Sequence, residues 1–224
     1  VRIGFVHTVP ALAATFEADL QQRVPGAAAV HVVDADLLAR ARAGGVDEVV
    51  QQRLDAHVAA LRARGVDAVL VTCSTLGDAT ERAGMGPGAP VVRVDAAMAE
   101  EAVALAQQRG SGAPRVTVLA TERATVDPTT GVLHRAAAAR EVAMTVEAIV
   151  LDEALTARAA GEQDRHDALV AEAVVTAARH ADVVVLAQAS MAAAAATVQV
   201  DVPVLSSPTS ALARVVEAAR GTGG

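Results

Sequence analysis

The sequence predicts an α/β fold built as two pseudo-symmetric lobes, each a roughly four-stranded parallel sheet flanked by helices. Three observations lead there. The first is an internal repeat. Val66–Leu76 (VDAVLVTCSTL) recurs as Ala181–Met191 (ADVVVLAQASM), 115 residues on. Arg2–Thr8 matches Arg115–Thr121, and Pro90–Val92 matches Pro203–Leu205, both 113 residues on. Three segments in one order at nearly one spacing mark two copies of one plan. The second is the alternation of short aliphatic runs with helical patterns, which gives parallel sheets. The third is the core material. The chain is 53% hydrophobic, yet has no Trp, no Tyr and only Phe5 and Phe16, so Val, Leu and Ala must fill strands buried on both faces.

The elements follow in order. Residues 2–6 read as a buried strand, and 11–23 as a helix with Leu12, Phe16 and Leu20 four apart. Pro25-Gly26 breaks it. Residues 28–33 form a second strand. A long helical pattern runs from about Val46 to Arg64 and stops at Gly65. Strand 67–71, a short helix after Cys73, strand 90–94 and helix 95–109 complete the first copy. The second copy gives strand 115–119, a helix over about 131–143, strand 145–150, a helix over about 164–180, strand 182–186, a short Ala-rich helix at 190–196, strand 202–205 and a last helix from near Thr209. The Gly110–Pro114 stretch is the most hinge-like between the repeats. The lobes are assigned as 1–98 and 99–207, with the C-terminal helix 208–224 packing back on the first.

Composition excludes several classes. The net charge is −7, and all 19 basic residues are scattered arginines, so no basic stripe marks a nucleic-acid partner. No apolar run approaches the roughly 18 residues that span a bilayer. The N-terminus enters a strand-like run directly, so no signal peptide is expected. A single cysteine forms no internal disulfide. A cytoplasmic protein with no membrane partner is expected, and self-association is left open. No His/Cys spacing suits zinc, and no Gly-x-Gly-x-x-Gly or Walker pattern occurs, so neither metal nor nucleotide cofactor is expected.

Ligands of parallel α/β sheets bind beyond the carboxyl ends of the strands. Those ends carry His7-Thr8, Thr72-Cys73-Ser74-Thr75, Thr121 to Thr125, Ala187-Gln188-Ala189-Ser190 and Ser206 to Ser210. Hydroxyls and helix-start N–H groups bind anions, so a small carboxylate is the expected ligand. Singly, each Ser or Thr also reads as a helix cap. The binding candidates are Thr8, Ser74, Thr75, Thr121, Thr125, Ser190 and Ser207. Cys73 follows a buried strand and precedes a helix start, a position that lowers a thiol's pKa.

The Thr72-Cys73-Ser74-Thr75 segment after a buried strand resembles the first cysteine motif of the aspartate/glutamate racemase superfamily. Gln188-Ala189-Ser190-Met191 stands where the second motif belongs, and hydantoin and allantoin racemase-like members are similar there, with Cys-Ala-Gly-Met. Gly4 to Pro10 and Thr121 to Thr125 also fit, so the resemblance covers essentially the whole chain. It implies cofactor-independent carbanion chemistry between two lobes, with two thiols facing each other across the substrate. Cys73 maps onto the first thiol. Gln188 maps onto the second, and there the chain departs from the pattern. An amide neither takes nor returns a proton near neutral pH, but it can orient a substrate by hydrogen bonding. The resemblance therefore implies racemase- or isomerase-like proton transfer with one thiol. Its alternatives are an arylmalonate-type decarboxylase or carbon–carbon lyase giving one enantiomer, although the decarboxylase type keeps its lone cysteine in the other half. From another class, a catalytically inactive binding homologue is the rival. His7 is the next candidate base. A 2-1-3-4 strand order sets it beside the third strand, where a Cys–His pair could activate the thiol; His7 reads equally as a histidine that only hydrogen-bonds local backbone. His31, His57, His134, His166 and His180 read as surface residues.

Overall fold

The computed structural model describes residues 1–109 and 112–221. The chain divides into two compact units, Val1–Val94 with the chain from Pro208 onward, and Asp95–Ser207. The first unit runs β1 (Arg2–His7), α1 (Ala11–Arg23), β2 (Ala28–Val33), α2 (Ala35–Gly44), α3 (Glu48–Ala63), β3 (Ala68–Val71), a 3-10 turn (Ser74–Leu76), α4 (Gly77–Gly84) and β4 (Val91–Arg93). The second runs α5 (Ala96–Arg109), β5 (Arg115–Ala120), a 3-10 turn (Arg123–Thr125), α6 (Val126–Ala139), β6 (Thr145–Val150), α7 (Asp152–Ala159), α8 (Gln163–Ala178), β7 (Val183–Leu186), a 3-10 turn (Ala189–Met191), α9 (Ala192–Ala195) and β8 (Val204–Ser206). Helix α10 (Ser207–Gly221) ends the described chain.

Each unit holds a four-stranded parallel sheet, ordered β2-β1-β3-β4 in one and β6-β5-β7-β8 in the other. The repeat is thus a repeat of topology. The central strands β3 (AVLV) and β7 (VVVL) are buried along their whole length, as unbroken aliphatic runs covered by helices on both faces should be. Side chains alternate across a strand. On one face of the first sheet, Val6, Val69 and Val71 pack with Leu54, Val58 and Leu61 of α3 and with Leu76 and Ala79. On the other, Ile3, Phe5 and Leu70 pack with Phe16 and Leu20 of α1 and Leu212 and Val215 of α10. Helix α3 starts where the Asp47 carboxylate accepts the Val50 N–H at 2.9 Å. It ends before Gly65, whose φ of +69° suits glycine.

The last helix of each repeat serves the other unit. Met98, Ala99, Ala102 and Ala106 of α5 pack on Val116, Val118 and Val185 of the second sheet, while α10 covers the first. The unit boundary therefore falls between Val94 and Asp95 rather than at 98, inside what is one continuous helix. Gly110 and Ser111 of the expected hinge, and residues 222–224 of the expected final helix, lie outside the described residues.

Three helical features differ from expectation. Helices α2 and α7 were not expected. Each buries only two residues, Leu37 and Ala41 in α2 and Ala154 and Ala157 in α7, so neither writes a strong periodic pattern. Helix α6 starts at Val126, earlier than the expected 131, because Pro128 falls in its first turn, where a missing N–H costs nothing. No helix among the described residues is long and apolar enough to cross a membrane.

Candidate active site

In the first unit, the pairing of Val6 with Val71 carries Thr8 alongside Cys73 just past the strand ends. Alternation places both on the α3 face. Cys73 is buried, with 8% of its surface exposed. Its sulfur is faced by the Thr8 hydroxyl, the Thr75 hydroxyl and N–H, and the Leu76 N–H. Burial pushes the thiol pKa up, and these donors offset only part of that. The direction is opposite to the lowering expected from a helix start. The physical reason is that the thiol is desolvated and the helical segment after it begins as a three-residue 3-10 turn. Ser74 is buried in that turn, where its carbonyl accepts the Gly77 N–H.

The expected Cys–His pair does not form. His7 continues the Ile3–Phe5 side of β1, so it lies on the opposite face of the sheet from Cys73. Its two ring nitrogens are taken, Nδ1 by the Thr72 hydroxyl at 2.9 Å and Nε2 by His31 Nδ1 at 2.9 Å. His31 Nε2 bonds Glu17 at 2.8 Å. The chain's two phenylalanines enclose this run, with the Phe5 and Phe16 ring centroids 5.6 and 5.8 Å from that of His7. Burial, helped by the charge of His31, lowers the His7 pKa to about 4. His7 is a buried neutral core residue.

In the second unit the same register carries Thr121 alongside Gln188. The Gln188 Oε1 accepts the Thr121 N–H at 2.9 Å and the Thr121 hydroxyl at 3.3 Å. Its Nε2 donates to the Thr125 hydroxyl, which donates in turn to the Glu122 carbonyl at 2.7 Å. Because a backbone N–H can only donate, the amide has one orientation. Ser190 sits half-buried in the following 3-10 turn, and Ser207 is buried at the start of α10.

A family model described as Asp/Glu/hydantoin racemase matches residues 5–215. The chain belongs to that family. A glutamate racemase isoform from Bacillus anthracis shares its fold at a TM-score of 0.74 and 17% identity, over 99% of this chain and 82% of that one. An aspartate racemase from Picrophilus torridus gives 0.70 and 16%, over 98% and 94%. An allantoin racemase from Klebsiella pneumoniae gives 0.66 and 19%, over 97% and 86%. No curated protein sequence matches the chain.

This Asp/Glu/hydantoin racemase-family chain also carries polar clusters that sequence reasoning missed. Asp34, just past β2, is buried and holds Arg53 by two bonds of 2.6 and 2.8 Å and His57 by one of 2.7 Å. Burial raises the Asp34 pKa, but the hydrogen bonds from His57 and Arg53 and the guanidinium charge outweigh it and hold the carboxyl below its ordinary value. The signal was present: an acid at a strand's carboxyl end, and an Arg and a His four apart on one helix face. His166 is buried rather than exposed, with Nδ1 bonded to Asp167 at 2.8 Å. His31 is half-buried in β2. Both were expected at the surface. Arg93, at the end of β4, is buried with 4% exposed, its Nη1 donating to Glu81 at 2.6 Å and Asp78 at 3.3 Å. Among the described residues no three His, Cys, Asp or Glu side chains group as a metal ligand set.

Proposed function

We propose that this racemase-family chain acts in the cytoplasm on a small carboxylate or related carbonyl compound, by cofactor-independent proton transfer at the carbon alpha to that group, with Cys73 as its only proton carrier. The observation that carries the reading is the ring of donors around the sulfur: Thr8, Thr75 and the Leu76 N–H. Groups that steady a thiolate also steady the enolate-like charge of a substrate carbanion, as an oxyanion hole does. Racemase-like exchange needs the thiolate first. The sulfur takes the alpha proton, the electron pair stays on the substrate, and the thiol returns a proton to the same face.

The raised thiol favours a second reading. A buried thiol that holds its proton at neutral pH is set to give a proton rather than take one. Decarboxylation or carbon–carbon cleavage would make the carbanion by breaking a bond to carbon and leaving its electron pair on the alpha carbon. Cys73 would then protonate that carbon and be reprotonated from water. Either route gives a product of one hand, since Gln188 cannot act as an acid or base. The locked Gln188 amide also supports the rival of a binding homologue without turnover.

The test is incubation of small chiral carboxylates, hydantoins and alpha-disubstituted malonates in deuterated water, with products resolved by chirality. Deuterium gained with configuration retained supports exchange by one thiol, and carbon dioxide release with one enantiomer supports the decarboxylase route. Rapid formation of both enantiomers would sink the one-thiol mechanism. No reaction on any substrate, together with saturable binding, would establish the binding homologue.

A further inference from the structure

We propose that Arg93 is a positioning residue for Cys73, a buried strut that fixes the turn whose N–H groups face the sulfur. Arg93 ends β4 opposite Val71 on β3, two residues before Cys73, and on the same face of the sheet, since Val69, Val71, Cys73 and Val91 pack together there. A guanidinium buried this far needs partners, and it has them in Glu81 and Asp78, both on α4. It also lies close against Gly77, the first residue of that helix. A Cβ on Gly77 would overlap Nη2 and stand 2.5 Å from Cζ. Gly77 has φ −53° and ψ −53°, an ordinary helical conformation that any residue adopts. Glycine is a poor helix former, so its presence here answers to the close approach of Arg93 and not to the backbone. Apart from the Thr8 hydroxyl, the donors to the sulfur come from Thr75 and Leu76, two and one residues before this contact. The second unit lacks the strut. Ala192 follows its 3-10 turn where Gly77 follows the first, Ser206 ends β8 where Arg93 ends β4, and its strand head carries Gln188.

Loss of the strut has two opposed effects on the thiol. Loosened donors raise its pKa, and an opened pocket lowers it. Leu76, Ala79 and Ala83 are buried in the core beneath α4 and keep the roof in place without Arg93, so donor loss dominates. The role rests on Cys73 being the proton carrier. The test reads only the thiol and two amides, so it is decided whether or not turnover is found.

Because Cys73 is the single cysteine, its alkylation by iodoacetamide can be followed on the intact chain from about pH 7 to about pH 10, alongside amide exchange at Thr75 and Leu76. Arg93→Met is expected to move the alkylation profile up by about half a unit, roughly threefold slower at pH 8, and to speed both amides about tenfold or more. Gly77→Ala should act in the same direction by displacing a pinned guanidinium. In the Arg93→Met background it should add nothing, since the space is then free. A profile that overlays the native one, a downward shift, or a double variant worse than either single one would each overturn the role. Should Arg93→Met not fold, Gly77→Ala alone is read against the first two limits.

Discussion

The heads of β3 and β7 have the same backbone and opposite chemistry. Each is a buried four-residue strand running into a 3-10 turn and a helix, with a threonine alongside from the neighbouring strand, Thr8 in one unit and Thr121 in the other. At β7 the amide of Gln188 takes up the donors itself, accepting from Thr121 and donating to Thr125. At β3 the sulfur of Cys73 meets a similar set of donors, but sulfur is a weak acceptor. The repeated fold supplies a donor-rich strand head, and the residue placed there sets its chemistry. An amide closes the site on itself. On the proposed function, a thiol leaves the donors available for a substrate's negative charge.

The strongest way to break this contrast is Cys73→Ala. Removing a positioned acid–base group costs about 100- to 10,000-fold in rate, so deuterium exchange or decarboxylation should fall by that factor. The strand head itself should hold, at a cost of about 1–3 kcal/mol in stability, because alanine fits the space but leaves the Thr75 and Leu76 N–H groups without the sulfur they face. Activity within tenfold of the native protein would show that the thiol is not the proton carrier.

The next effect separates the two faces of the first sheet. His7 holds its proton only below about pH 4 in the folded protein, against 6.5 as its ordinary value. Between those limits the unfolded chain binds a proton that the folded chain does not, so stability falls as pH drops from about 6.5 toward about 4. The full loss is about 3 kcal/mol, at about 1.4 kcal/mol per pKa unit. Glu17, held low first by its bond from His31, adds a loss in the same direction at still lower pH. Urea unfolding at a series of pH values should show this slope, and His7→Phe should flatten it between about pH 6.5 and about pH 4. An unchanged slope in that variant would assign the acid sensitivity elsewhere.

Much of this architecture was legible in the sequence, because a repeat of aliphatic runs at a nearly constant spacing marks two copies of one plan. The eight strands follow from it, and the expected 2-1-3-4 order is found in both sheets. Helices packed mainly through alanine, such as α7, were not legible, since alanine is equally at home inside and outside. At the site, the sequence placed Thr8, Cys73, Thr121 and Gln188 at strand heads but not the partners they face. His7 was misjudged for a specific reason. Its neighbour on β3 by register is Thr72, and one residue along a strand is the difference between the two faces of a sheet. Of the Asp34–Arg53–His57 and Arg93–Glu81 clusters the sequence carries only pieces, such as an acid at a strand end and an Arg and a His four apart on one helix; packing joins them.

The smallest predicted effect tests whether Gln188 is structural. Gln188→Ala leaves the Thr121 N–H and hydroxyl without their acceptor and removes the bond donated to the Thr125 hydroxyl, which keeps only Glu122, in a mostly buried setting; this costs about 1–3 kcal/mol. Gln188→Glu separates the two halves of the amide. Its carboxylate still accepts both bonds from Thr121, but it cannot donate to Thr125, whose hydroxyl must then turn away from the Glu122 carbonyl. One hydrogen bond is lost instead of three, so the cost should be about 1 kcal/mol. Thermal unfolding of the two variants beside the native chain measures the ordering. Equal stability of all three would mean that the amide does not hold this strand head, and that Gln188 is kept for contact with a ligand instead.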